Sequence, residues 1–109
     1  MTFRDFDMKQ DMKAVQRIWQ ECGWVDESEA RWLEDFFGVG TALVGTIDGE
    51  AECSVHSTPG TIRYLGETLP MGAVTAVTTS RIARKTGFAR QLTARLLARQ
   101  ADQGCAVSA

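Results

Sequence analysis

Val77-Thr78-Thr79-Ser80-Arg81-Ile82-Ala83-Arg84-Lys85-Thr86-Gly87-Phe88-Ala89-Arg90 is the stretch from which the rest of the chain can be read. An apolar, β-rich run passes into a basic turn, and a glycine stands where a helix opens. That helix is expected from Gly87 to about Gln103, with Phe88, Leu92 and Leu96 as its apolar line and Gly104 placed to stop it. A junction of this kind is an anion site. The first N–H groups of a helix have no intrahelical acceptor, and the helix dipole adds partial positive charge at that end. Gly87 lets a bulky phosphate approach the backbone, and Arg84, Lys85 and Arg90 surround it with mobile positive charge.

The charge distribution agrees. The net charge is −2, yet Arg81, Arg84, Lys85, Arg90, Arg95 and Arg99 lie together with no acidic residue among them. The first eighty residues carry thirteen acids against six bases. A local positive field in an acidic chain suggests an anionic ligand held at one place. For Arg95 and Arg99 a solvated outer helix face is the expectation.

Upstream, the pattern predicts two helices and then strands. Phe3 to Phe6 reads as a short strand. Val15, Ile18, Trp19 and Cys22 recur at helical spacing from about Lys9, with Asp11 in the first turn and Gly23 at the C-cap. Asp26 and Glu29 have capping-box spacing, so a second helix is expected from Asp26, with Ala30, Leu33 and Phe37 inward and Gly38 ending it. Ala42 to Ile47 and Ala51 to Thr58 form a hairpin about Asp48-Gly49, and Pro59-Gly60 is expected to break the second strand. Thr61 to Leu65 and Thr68 to Thr79 read as further strands joined at Gly66-Glu67. Cys105 to Ser108 opens another. The predicted order is β-α-α-β-β-β-β-α with a fifth core strand only begun, an α/β (α+β) fold in a single domain over 1–109.

Metal chemistry has few ligands. Cys22, Cys53 and Cys105 form no CxxC pair, and His56 is the one histidine. The thiols read as buried or incidental, and His56 as a packed or surface histidine rather than a general base. No run approaches the roughly 18 apolar residues of a membrane span, and charged residues from Asp5 to Lys13 interrupt any secretory h-region. A cytoplasmic protein with no metal and no membrane partner is expected.

Other phosphate motifs fail. The P-loop pattern is absent, and Gly38-x-Gly40 follows a helix, with Leu43 where the third dinucleotide-fold glycine should stand. Arg84-x-x-Gly87-x-Ala89 instead resembles the signature of the GNAT superfamily of N-acetyltransferases, and its placement after a strand meander and before a helix matches that superfamily's order. Gly72-Ala73-Val74-Thr75-Ala76-Val77, Arg90-Gln91-Leu92 and Gly104-Cys105-Ala106-Val107-Ser108-Ala109 are similar to the Eis-like branch, with Glu27-Ser28-Glu29-Ala30-Arg31-Trp32 a weaker match.

The resemblance implies direct acetyl transfer from acetyl-CoA to a primary amine. It implies that backbone groups of Val77, Thr78 and Thr79 hold the pantetheine arm. The pyrophosphate would rest on Arg84, Lys85, Thr86, Gly87, Phe88, Ala89 and Arg90. Trp24, Asp26 and Trp32 stand where relatives build the acceptor pocket. Two departures from the pattern matter. Arg81 and Ala83 fill a loop that in the family usually carries a proline and an aromatic residue or histidine. The family's general-acid tyrosine lies beyond the fifth strand, so no catalytic acid or base is assigned. A truncated or degenerate acyl-CoA-binding domain without turnover is the alternative, and a basic nucleic-acid-binding module the third reading, against which the acidic remainder of the chain argues. The unfinished fifth strand leads to the expectation of a weakly stable chain that associates with itself through its sheet edge and transfers little acetyl.

Overall fold

A computed structural model describes residues 2–109. Five strands and three α-helices follow one another as β1 (Thr2–Asp5), α1 (Met8–Glu21), α2 (Leu33–Phe37), β2 (Thr41–Ile47), β3 (Glu50–Tyr64), β4 (Glu67–Thr79), α3 (Phe88–Asp102) and β5 (Val107–Ser108). The strands make one sheet in the order β1-β2-β3-β4-β5. The first four are antiparallel neighbours, and β5 joins β4 in parallel. Among the described residues no helix is long and apolar enough to cross a membrane.

Each face of the sheet carries its own core. Successive strand residues point to opposite faces, so Val44 packs with Met12, Val15, Leu33 and Phe37 of α1 and α2. Its neighbour Leu43 packs with Cys53, Val55, Phe88, Leu92 and Leu96 on the α3 side. Phe88, Leu92 and Leu96 are at most 1% exposed, and full burial of such side chains is worth about 1.5–3 kcal/mol each. That line docks α3 and therefore sets where its N-terminus lies.

The α1 helix starts where Asp7 accepts hydrogen bonds from the N–H groups of Lys9 and Gln10, at 3.0 and 2.9 Å. Asp11 in its first turn is buried and takes both guanidinium nitrogens of Arg4, at 2.6 and 2.7 Å. Gly23 follows the helix in the left-handed region, at φ +75°.

Three local expectations are corrected. The Asp26 capping box forms, with the Glu29 N–H donating to Asp26 Oδ1 at 2.9 Å, but only turns follow it. A 3-10 turn spans Ala30–Trp32, and α-helix begins at Leu33. Pro59 does not interrupt its strand, so the two strands expected there are one, β3. In the register, Ser57 is the last β3 residue opposite β2, and Pro59 faces Gly72 of β4. The side on which Pro59 lacks an N–H is the side that β2 has already vacated, so no ladder bond is lost. The β3–β4 turn is at Leu65-Gly66, both at positive φ, rather than at Gly66-Glu67. The Asp48-Gly49 turn lies where expected, again with two positive φ values, as twisted two-residue hairpins require.

The candidate anion site at the start of the third helix

The basic turn is built from three backbone features. After β4, Ser80 is anchored by its N–H to Glu52 O at 2.8 Å, and Arg81–Ala83 make one 3-10 turn. Lys85 then sits at φ +62° and Gly87 at φ +80°, the N-cap position of α3. Gly87 has no side chain to cap the helix. Gln91 N–H is the first to find a helical acceptor, Gly87 O at 3.0 Å. Among the described residues the N–H groups of Phe88, Ala89 and Arg90 before it have no backbone acceptor. A Cβ built on Gly87 would meet only Gln91 Nε2, at 3.7 Å, so positive φ, not crowding, demands glycine, and the space before the backbone is open.

That space is a cavity of about 160 Å³ lined by Thr79, Ala83, Arg84, Lys85, Gly87, Phe88, Ala89 and Arg90. Thr86 closes the turn through its hydroxyl, which donates to Ala83 O. The Phe88 ring is anchored inward, edge-on to Phe3 with centroids 5.3 Å apart, which leaves its backbone at the mouth. Arg84, Lys85 and Arg90 are exposed and form no ion pair among the described residues. The two cations farther along the helix are engaged elsewhere. Arg99 pairs with Asp5 at 2.7 Å, and Arg95 lies 4.5 Å over the Phe3 ring. The basic run therefore divides into a free end and an engaged end.

The second half of the site is the edge of β4. The segment after α3 bonds it through Ala106 N–H to Pro70 O, Ala109 N–H to Gly72 O, and Val74 N–H to Ala109 O, at 2.8, 3.0 and 2.7 Å. A bulge follows at once. Val74 is opposite Ser57 and Ala76 is opposite His56, so Thr75 is an extra residue. One extra residue reverses the alternation. Ala76 and Thr78 now direct their backbone to β3, and Val77 and Thr79 direct theirs away from β3. Thr78 is turned inward, its buried hydroxyl 2.7 Å from that of Ser54. The structure thus brings Thr79, Arg84, Lys85, Gly87, Phe88, Ala89 and Arg90 to one cavity, with Thr86 bracing the turn and Val77 two residues before Thr79 on the same side of the strand.

Sequence patterns of the acetyltransferase (GNAT) domain family match residues 4–109. The chain belongs to this GNAT family. Similar solved structures include a GCN5-related N-acetyltransferase from Kribbella flavida, with a TM-score of 0.88, 20% identity and 98% of this chain covered. A probable N-acyltransferase from Enterococcus faecalis matches with a TM-score of 0.83, 18% identity and 98% coverage. This GNAT chain spans only 28% of the length of each of those two proteins. An aminoglycoside N-acetyltransferase solved in complex with CoA matches with a TM-score of 0.78 at 14% identity, over 99% of this chain and 74% of that one. No curated protein matches the sequence. At these identities the likeness is one of fold: a mixed α+β GNAT architecture about a five-stranded sheet.

The other sequence-predicted positions are dispersed. Trp24 and Trp32 are 52% and 61% exposed on the connection after α1. Asp26 is exposed, and its carboxylate takes the Ser28 hydroxyl at 2.6 Å and the Glu29 N–H. Those bonds, the hydroxyl first, lower its pKa. Cys53 is buried, and burial pushes its thiol pKa up, which suits an inert core residue. Among the described residues no three His, Cys, Asp or Glu side chains gather to hold a metal.

His56 was not legible as a networked residue. It is 1% exposed, packed on the Phe36 ring at 4.3 Å and the Phe37 ring at 5.3 Å. Its Nε2 bonds Val39 O, and its Nδ1 lies 2.6 Å from the hydroxyl of the bulge residue Thr75. The partners are 17 and 19 residues away in sequence, so only the β2–β3 and β3–β4 registers could have revealed them.

Proposed function

We propose that this single domain is an acetyl-CoA-dependent N-acetyltransferase of the Eis-like branch, transferring acetyl to a primary amine in the cytoplasm. The observation that carries the reading is the N-terminus of α3, where a left-handed Gly87 and three N–H groups without acceptors open on a cavity ringed by Arg84, Lys85 and Arg90. Two phosphates need that arrangement: directed N–H groups, a helix dipole and free cations, with no Cβ in the way. The outward backbone of Val77 and Thr79 supports a pantetheine arm running along β4 away from the turn. Thr78 would contribute by fixing the strand from behind. Trp24, Asp26 and Trp32 are proposed for the acceptor side, where exposed aromatic and acidic groups suit a cationic amine.

Ligand selectivity tests the reading. CoA and acetyl-CoA should raise the melting temperature by mass action, and NADH and ATP at equal concentration should do so far less. Gly87→Glu puts a carboxylate where the pyrophosphate must approach. CoA affinity should fall at least tenfold, about 1.4 kcal/mol, with the circular dichroism spectrum unchanged. Equal stabilisation by all four ligands, or full CoA affinity in folded Gly87→Glu protein, would reduce the site to a general anion patch.

A further inference from the structure

The β4 bulge does more than turn two backbone positions outward. It pushes Thr75, an exposed residue, out of the β3–β4 ladder. The Thr75 hydroxyl is nevertheless tied to a buried base. Val39 O can only accept, so His56 Nε2 carries the ring hydrogen and Nδ1 is the acceptor. Thr75 Oγ1, 2.6 Å from Nδ1, donates its proton to the ring, with His56 O a second acceptor within reach at 3.3 Å. The Thr58 hydroxyl donates to Thr75 Oγ1 at 3.3 Å, and Thr75 itself is exposed to solvent. A hydroxyl at the surface, a neutral imidazole behind it and a carbonyl fixing the tautomer form a line from solvent to core.

We infer that Thr75 and His56 are a proton relay for the acceptor amine, with Thr75 touching the amine and His56 acting through it. The inference rests on the acetyl-CoA reading, which puts the acetyl thioester beside the outward edge of β4. An ammonium group hydrogen-bonded to Thr75 Oγ1 passes one proton to that oxygen as the Thr75 proton moves to His56 Nδ1. The freed lone pair forms the C–N bond, the C–S bond breaks, and the nitrogen's surplus proton leaves with the thiolate as free CoA thiol. His56 then returns its proton through Thr75 to water. The net products are the amide, CoA and one proton. Protonated His56 would keep its Nε2 bond to Val39 O and lie against the Phe36 ring face, both of which favour a cation. The groups around the ring are Phe36 and Phe37 of α2, Val39 and Gly40 after it, Ala42 of β2, and Thr75 and Ala76 of β4. None of them is ionisable.

The chain has a single histidine, so its titration can be followed by ¹⁵N NMR without assignment. Turnover would be measured as thiol release from acetyl-CoA with spermidine, an aminoglycoside and a lysine peptide, against pH. The expected result is a kcat for Thr75→Val at least tenfold down and CoA affinity within twofold of the parent. Thr75→Ser should restore most of the rate. In the parent protein kcat should fall toward low pH along the His56 titration curve, and Thr75→Val should lose that limb. Unchanged kcat and pH profile in Thr75→Val, with CoA still bound, would overturn the relay and leave the acetyl-CoA reading standing. CoA binding without turnover of any of the three amines would overturn the relay and cut the acetyl-CoA reading back to CoA binding alone. Failure of CoA to bind the parent chain would overturn both.

Discussion

Gly45 and Gly87 are both glycines for α3, yet for different physical reasons. At Gly87 the backbone needs positive φ and the space is empty. At Gly45 the φ is ordinary, but a Cβ would come within 2.3 Å of the Phe88 ring. Phe88 thus seats the first turn of α3 in a hollow that only glycine provides. Gly45→Ala should cost about 1–3 kcal/mol by overpacking and should weaken CoA binding through displacement of the turn. Gly60→Ala, whose Cβ would meet Met71 at an ordinary 3.5 Å, should change stability by less than about 0.5 kcal/mol. Urea denaturation of the three proteins checks the contrast. Gly87 was readable from sequence because basic residues and a helix pattern frame it. Gly45 was not, since its partner is 43 residues away and nothing local marks the hollow.

At the scale of elements, α3 has two electrostatic ends. Its N-terminal cations are unpaired, and its later ones are held by Asp5 and Phe3. Replacing Arg84 and Lys85 by Ala should weaken CoA binding and flatten its dependence on salt, because fewer charges are then left to screen. Replacing Arg95 and Arg99 should leave CoA affinity unchanged and lower stability by no more than about 1 kcal/mol. Calorimetric titration at two ionic strengths separates the two pairs. Helices α1 and α3 were legible because their apolar spacing and glycine stops agree with how they pack. The short α2 was misjudged at its start, since a capping box can close a turn without starting an α-helix. The bulge in β4 left no trace, because Val74-Thr75-Ala76-Val77 reads equally well in either register. Pro59 misled for the complementary reason: a proline breaks a strand only where its missing N–H has a partner to lose.

For the whole molecule, the buried His56 links stability to pH. Burial holds its pKa below the ordinary 6.5, and the carbonyls of Val39 and Phe36 only partly oppose this. The folded state therefore binds this proton less readily than the unfolded chain. The stabilisation is fully present above about pH 6.5 and is lost as pH falls toward and through the folded pKa. Unfolding free energy should decline between pH 7.5 and 5.5, and the decline should vanish in His56→Gln. An identical slope in both proteins would locate the effect elsewhere. The long hairpin carries a different consequence. The molecule extends 45 × 30 × 23 Å, and beyond Ser57 the β3–β4 ribbon has no β2 beside it, while residues from Pro59 to Thr68 are exposed. Two strands without a covered face are marginal in water. Amide hydrogens should therefore exchange with deuterium fastest near Leu65-Gly66 and progressively more slowly toward Val55 and Val77. The chain would behave as a rigid body with a frayed antenna, and the bulge at Thr75 would mark the border between them.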